Sequence, residues 1–334
     1  MAGDARGGQE PPRHVGGAED DRTFDGCGAG PQVDDSLVDE PSGNISVEHI
    51  QAACLEKGFI CTAAAPLDRV KFIMQCQREL QRSGVLETSF GSSWQCFRGI
   101  ASTEGVRSFW RGNLIQVAAL LPTIVTHVFI GGPTQRFVYN NFPLTFPFGQ
   151  TAATYTAVLC GALAVSMVSY PLDFARFRLA VDMKSGQGLS YDYRHSLAFF
   201  AQPIFSESPH LLYTGIGLYV LGSVMYGMLH TAMVQLVLPR LPAEVDGYDA
   251  FAAHVGTGLG ASAVSTLGLH PVDTVRRRMM IAVTRDDLRY NSARHCLSYI
   301  LLTEGLMGLY RGATFTLVRM SFVSSLSLAW AVAT

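Results

Sequence analysis

The sequence predicts an all-α membrane protein with six transmembrane helices set out as three tandem, pseudo-symmetric repeats. Three observations carry that expectation. The chain is apolar and short of charge, it holds six candidate spans of bilayer length, several of them free of charge, and two short motifs recur three times at intervals of about 100 residues. Of 334 residues, 48% are hydrophobic and 16% charged, where a soluble domain carries about 25% charged residues. The mean hydropathy is +0.21.

Each stretch is justified in turn by the ~20 residues that a helix needs to cross the hydrocarbon core. Val47 to Pro66 is the first. Gly112 to Pro133, Gly149 to Leu172 and Ile216 to Leu238 follow, and none of these three contains an Asp, Glu, Lys or Arg. Ala250 to Pro271 and Ala313 to Thr334 complete the set. Trp110, Tyr139, Tyr170, Tyr213, Tyr310 and Trp330 stand near the ends of these stretches, as interfacial aromatic anchors do.

The segment ahead of them differs in kind. Residues 1–45 hold ten acids against Arg6, Arg13 and Arg22, a charge of -7. The remainder, with 17 acids and 22 Lys plus Arg, carries +5, which suits anionic solutes and anionic lipid. Rich in Gly and Pro and poor in large apolar side chains, residues 1–45 are expected to be a disordered acidic extension. They have neither the apolar core of a secretory signal nor the Arg-rich, acid-poor character of an organellar presequence. Seven cysteines form no CxxC or His/Cys cluster, so neither a zinc site nor a disulfide framework is indicated.

The repetition lies in two motifs. Pro66-Leu67-Asp68-Arg69-Val70-Lys71, Pro171-Leu172-Asp173-Phe174-Ala175-Arg176 and Pro271-Val272-Asp273-Thr274-Val275-Arg276 are three copies of Pro-x-Asp-x-x-basic. A second motif follows each at matching distance: Glu104-Gly105 then Trp110-Arg111-Gly112, Tyr213-Thr214-Gly215, and Glu304-Gly305 then Tyr310-Arg311-Gly312. Each repeat therefore reads long helix, short amphipathic helix, long helix. The repeats are assigned to residues 46–142, 143–242 and 243–334.

Asp and a basic residue three positions later share one helix face and could pair locally. Threefold placement permits a ring in which Asp68, Asp173 and Asp273 each reach the cation of the next repeat, drawn from Lys71, Arg176 and Arg276. Such a ring would plug a central cavity. The proline ahead of each Asp removes a backbone donor and bends its helix, which membrane spans tolerate. Ion pairs at the rim of a wet cavity contribute only ~0 to 1 kcal/mol each, so the plug can open. Gln75, two turns beyond Pro66, is placed to brace the ring with its amide. Gly112, Gly215 and Gly312 stand at helix starts, where backbone N–H groups can take a lipid phosphate, with Arg111 and Arg311 beside them.

These repeats resemble the mitochondrial carrier family, whose signature is Pro-x-[Asp/Glu]-x-x-[Lys/Arg] in triplicate. The run Arg276-Arg277-Arg278-Met279-Met280 looks like that of its ADP/ATP-carrier branch, as do Tyr170 to Arg176 and Phe109-Trp110-Arg111-Gly112-Asn113-Leu114. The resemblance implies a multi-pass protein of the mitochondrial inner membrane with its short helices on the matrix side. It also implies alternating-access exchange of ADP and ATP, and cardiolipin at the helix-start glycines. It places Arg277 and Arg319 as substrate-binding arginines and Gly222 and Tyr226 at the adenine. Two departures stand out. Cys61 and Ala119 occupy positions where the family has a lysine and an arginine. The positions of the family's opposite, aromatic-acid-x-x-basic gate read Ile130-Gly131-Gly132-Pro133, Val234-Gln235-Leu236-Val237 and Ala329-Trp330-Ala331-Val332, which supply no ion pairs.

Adenine-nucleotide antiport is thus the leading expectation. Transport of a different or less charged anion, or a non-transporting role as a subunit of a respiratory or ATP synthase complex, are the alternatives. No phosphate loop, nucleophile constellation or metal cluster is present in the sequence, so an enzyme, a metal site, a cofactor or a nucleic-acid partner is not expected.

Overall fold

The computed structural model describes residues 47–87, 89–141, 149–184, 209–237, 248–283 and 290–333. The acidic extension expected over residues 1–45 lies outside them.

The first repeat opens with α1, Val47–Arg82. The short α2, Ser93–Thr103, follows, with the Ser92 hydroxyl accepting from the Gln95 amide at its N-terminus. A 3-10 turn, Val106–Trp110, leads into α3, Asn113–Thr126, which runs through a π-helical turn at His127–Gly131 into α4, Gly132–Asn141. The second repeat contributes α5, Gly149–Val181, a 3-10 turn at Pro209–Tyr213, and α6, Ile216–Val237. The third supplies α7, Tyr248–Ala282, the short α8, Ala293–Glu304, and α9, Leu306–Leu309, and then α10, Ala313–Ala333.

At 1.5 Å per residue, α1, α5 and α7 are each about 50 Å long and even α6 and α10 exceed about 30 Å, so every one can cross a hydrocarbon core. Among the described residues, only Val106–Thr134 and Pro209–Val237 are apolar enough to be recognised as spans by composition alone. The physical reason is in the sequence. The ionic motifs lie inside α1, α5 and α7, and α10 is diluted by Thr, Ser and Arg319.

The helices close into a barrel in chain order, α10 returning to pack on α1, while α1, α5 and α7 also meet one another near the centre. Pro66, Pro171 and Pro271 do not end their helices, which continue to Arg82, Val181 and Ala282. The extensions carry the main core. Ile73, Phe174 and Phe177 are fully buried there with Cys96 and Ile100 of α2, and Phe72 meets Phe177 edge-on with ring centroids 5.4 Å apart. Outward-facing Leu114, Leu121, Phe129 and Leu221 are more than half exposed, the apolar skin that a lipid-facing barrel requires.

Candidate functional site

The three repeated motifs converge. Arg176 Nη2 lies 2.6 Å from Asp68 Oδ2, Lys71 Nζ 3.1 Å from Asp273 Oδ2, and Arg276 Nη2 3.4 Å from Asp173 Oδ2. Each aspartate thus pairs with the cation of the next repeat, in the expected cyclic order. Local pairing within a motif is the longer contact in each case seen, 3.9 Å for Arg176 with Asp173 and 3.5 Å for Arg276 with Asp273. Gln75, completely buried, donates from Nε2 to Asp273 Oδ2 at 3.2 Å and to Thr274 Oγ1 at 3.4 Å. It therefore braces the pair that joins the first and third repeats.

Above the ring lies a cavity lined by all six long helices. Arg277, Arg319, Gly222 and Tyr226 all face it, as do Cys61, Ala119 and Lys57. Arg277 and Arg319, however, are drawn into the ring itself. Arg277 reaches Asp173 and Asp273, each at 3.4 Å, and Arg319 pairs with Asp68. Arg277 is also held between the rings of Phe72 and Phe177, 4.6 and 5.0 Å from their centroids. Arg276 lies 4.8 Å from the Tyr219 centroid. An anion entering the cavity must therefore compete with gate carboxylates for both arginines. Higher on the wall, Tyr226 stacks on His230 at 5.9 Å, and a Cβ on Gly222 would meet Val272 Cγ1 of α7 at 3.8 Å.

The helix-start glycines pack closely on the next repeat, which the sequence alone did not reveal. Gly112, Gly215 and Gly312 all adopt positive φ, between 82° and 85°, and each presses on the gate cation of the following repeat. A Cβ on Gly112 would meet the Arg176 carbonyl oxygen at 2.6 Å. On Gly215 it would meet Arg276 Cγ at 3.1 Å, and on Gly312 the Lys71 carbonyl oxygen at 3.1 Å. The two arginines beside them, read from the sequence as phosphate ligands, are engaged by carboxylates. Arg111 pairs with Asp182, and Arg311 lies 3.0 Å from Glu304.

Two further buried networks tie the repeats together below the ring. Arg69, 1% exposed, donates to the carbonyls of Ala180, Ser108 and Asp182 and to Glu104 at 2.6 Å. Arg278, fully buried, donates to the Gln75 carbonyl, to Glu304, and to Glu79 at 3.3 Å. Tyr290 donates to Glu79 at 2.9 Å. Burial, and then the carboxylate beside it, push the Tyr290 hydroxyl well above its ordinary value, so it stays protonated and remains the donor. The repeated Glu-Gly motif was a visible signal for Glu104 and Glu304. Asp182, Glu79 and Tyr290 have no repeated counterpart that would single them out.

At the opposite end, an aromatic contact is among those of the described residues. Phe59 of α1 meets Trp330 of α10 with centroids 5.9 Å apart.

Comparison with known proteins agrees with this geometry. The family model described as mitochondrial carrier protein matches three segments, residues 45–141, 149–242 and 248–331. An ADP,ATP carrier protein of Chlamydomonas reinhardtii is 31% identical over 263 residues, covering 77% of this chain and 83% of the relative. ADP,ATP carrier protein 3 of Saccharomyces cerevisiae is 32% identical over 262 residues, with the same coverage. An ADP,ATP carrier protein of Neurospora crassa is 30% identical over 268 residues, 77% of this chain and 82% of the relative.

Proposed function

Because the chain belongs to the mitochondrial carrier family, and so to a family of transporters, we propose that it exchanges adenine nucleotides across the mitochondrial inner membrane by alternating access. The observation that carries the reading is the ring of inter-repeat ion pairs beneath a cavity in which Arg277 and Arg319 share carboxylates with the gate. A nucleotide phosphate that takes these guanidiniums withdraws partners from Asp68, Asp173 and Asp273. Solute binding and gate opening are thereby coupled through the same charges. Gly222 and Tyr226 offer a flat, partly aromatic wall of the kind that takes a base. The relatives described as ADP,ATP carriers support the nucleotide class. Cardiolipin at the helix starts following Gly112, Gly215 and Gly312 belongs to the same proposal.

The direct test is reconstitution into liposomes loaded with unlabelled nucleotide. Uptake of labelled ADP well above protein-free vesicles, and its loss in Arg319→Ala, is the expected outcome. An Arg319→Ala protein that folds and exchanges ADP at the unaltered rate would remove Arg319 from the solute site and the coupling with it.

A further inference from the structure

We infer that the cavity is charge-matched to a solute bearing one doubly negative head group, a nucleoside monophosphate in preference to a di- or triphosphate. Arg277 and Arg319 are the pair that receives it. This inference deepens the nucleotide reading above and rests on it.

The floor of the cavity holds Lys71, Arg176, Arg276, Arg277 and Arg319 against Asp68, Asp173 and Asp273. Among the described residues, five cations face three carboxylates at the floor, an excess of two. Three of the cations are matched one to one in the ring, Lys71 with Asp273, Arg176 with Asp68 and Arg276 with Asp173. The excess therefore belongs to Arg319, which shares Asp68 with Arg176, and to Arg277, which shares Asp173 with Arg276 and Asp273 with Lys71. A phosphate monoester, with its second ionisation at about pH 6, is close to a dianion at neutral pH. It presents oxygens suited to guanidinium forks. Arg277 is already fixed in place between Phe72 and Phe177.

The wall above the floor offers little to neutralise further phosphates. Cys61, Ala119, Thr123, Gly222, Tyr226 and Thr266 line it without a formal charge. His270, at the floor, is held by the Leu309 carbonyl at 3.0 Å. The remaining cation of the lining is Lys57, whose Cα stands about 16 Å along α1 from that of Asp68 at 1.5 Å per residue. It draws anions toward the cavity but does not reach a group seated on the ring. A diphosphate then leaves about one negative charge unmatched, and a triphosphate about two, in a site where poor solvation strengthens every uncompensated charge.

Proteoliposomes loaded in turn with AMP, ADP, ATP and malate test this directly through homo-exchange rates. AMP exchange about tenfold or more faster than ATP, with ADP between, is the expected order. AMP at or below the rate of ADP or ATP overturns the charge match and leaves nucleotide exchange standing. Exchange of malate alone, or of none of the four, overturns both. Ala119→Arg supplies a second arm, because it adds one more positive charge to a half-buried cavity wall. The ratio of ADP to AMP exchange should rise in this variant, and an unchanged or lower ratio counts against the inference.

Discussion

Gly112 shows at the residue scale how one position serves two ends. Its backbone is left-handed, with φ of 82°, and its missing side chain lets α5 approach until a Cβ would sit 2.6 Å from the Arg176 carbonyl oxygen. Gly112→Ala should therefore destabilise the protein by at least about 1 kcal/mol, from backbone strain and the clash together. Gly217→Ala, a helical position with nothing within 4 Å of the added Cβ, should be neutral or stabilising by up to about 1 kcal/mol. Thermal unfolding in detergent compares the two, and equal shifts would show that the close approach to Arg176 is not needed. The sequence announced Gly112, Gly215 and Gly312 by their regular recurrence. What it suggested for them was phosphate binding at a helix start. The packing duty stayed hidden because the surface they press on belongs to another repeat, far away along the chain.

At the scale of the element, the long helices were legible and their ends were not. A window of apolar residues stops naturally at Pro66, Leu172 and Pro271, yet α1, α5 and α7 run on because each extension buries a face against its neighbours. Ile73, Phe174 and Met280 are each 0% exposed. The extensions also carry the buried arginines that join one element to another. Arg69 of α1 holds α5 through the Ala180 carbonyl, the residue just past its end through the Asp182 carbonyl, and the loop of its own repeat through Ser108 and Glu104. Arg69→Met removes those bonds and takes the cation from a carboxylate that is 1% exposed, at a cost of about 3–5 kcal/mol. Adding Glu104→Gln should recover part of that loss in the same unfolding measurement. A double variant as unstable as the single one would mean that the carbonyl contacts, not the charge pair, carry the effect. Glu104 was visible as half of a repeated dipeptide. Asp182, which pairs with Arg111 and accepts from Arg69 through its carbonyl, was not, since nothing at the matching place in the other repeats marks it.

For the whole molecule, the order of the ring matters more than the strength of any pair. Exposed or rim pairs contribute about 0 to 1 kcal/mol each, but the three close the barrel only when each motif faces the next. Lys71→Asp adds a fourth carboxylate to the ring, directly against Asp273, and should abolish exchange. Reversing its partner as well, with Asp273→Lys, should restore a measurable share of it in liposomes. No recovery in a double variant that folds would mean that the pair does more than hold the first and third repeats together. The sequence by itself determined the number of repeats, the membrane class and the identity of the six ring residues, because these depend on composition and on order along the chain, which covalent spacing displays. Only the tertiary structure decided that Arg277 and Arg319 lean on the same carboxylates as the ring, and that Arg111 and Arg311 are taken up by Asp182 and Glu304. Charges choose partners by distance through space in a poorly solvated interior, and that distance exists only once three repeats have closed around one axis.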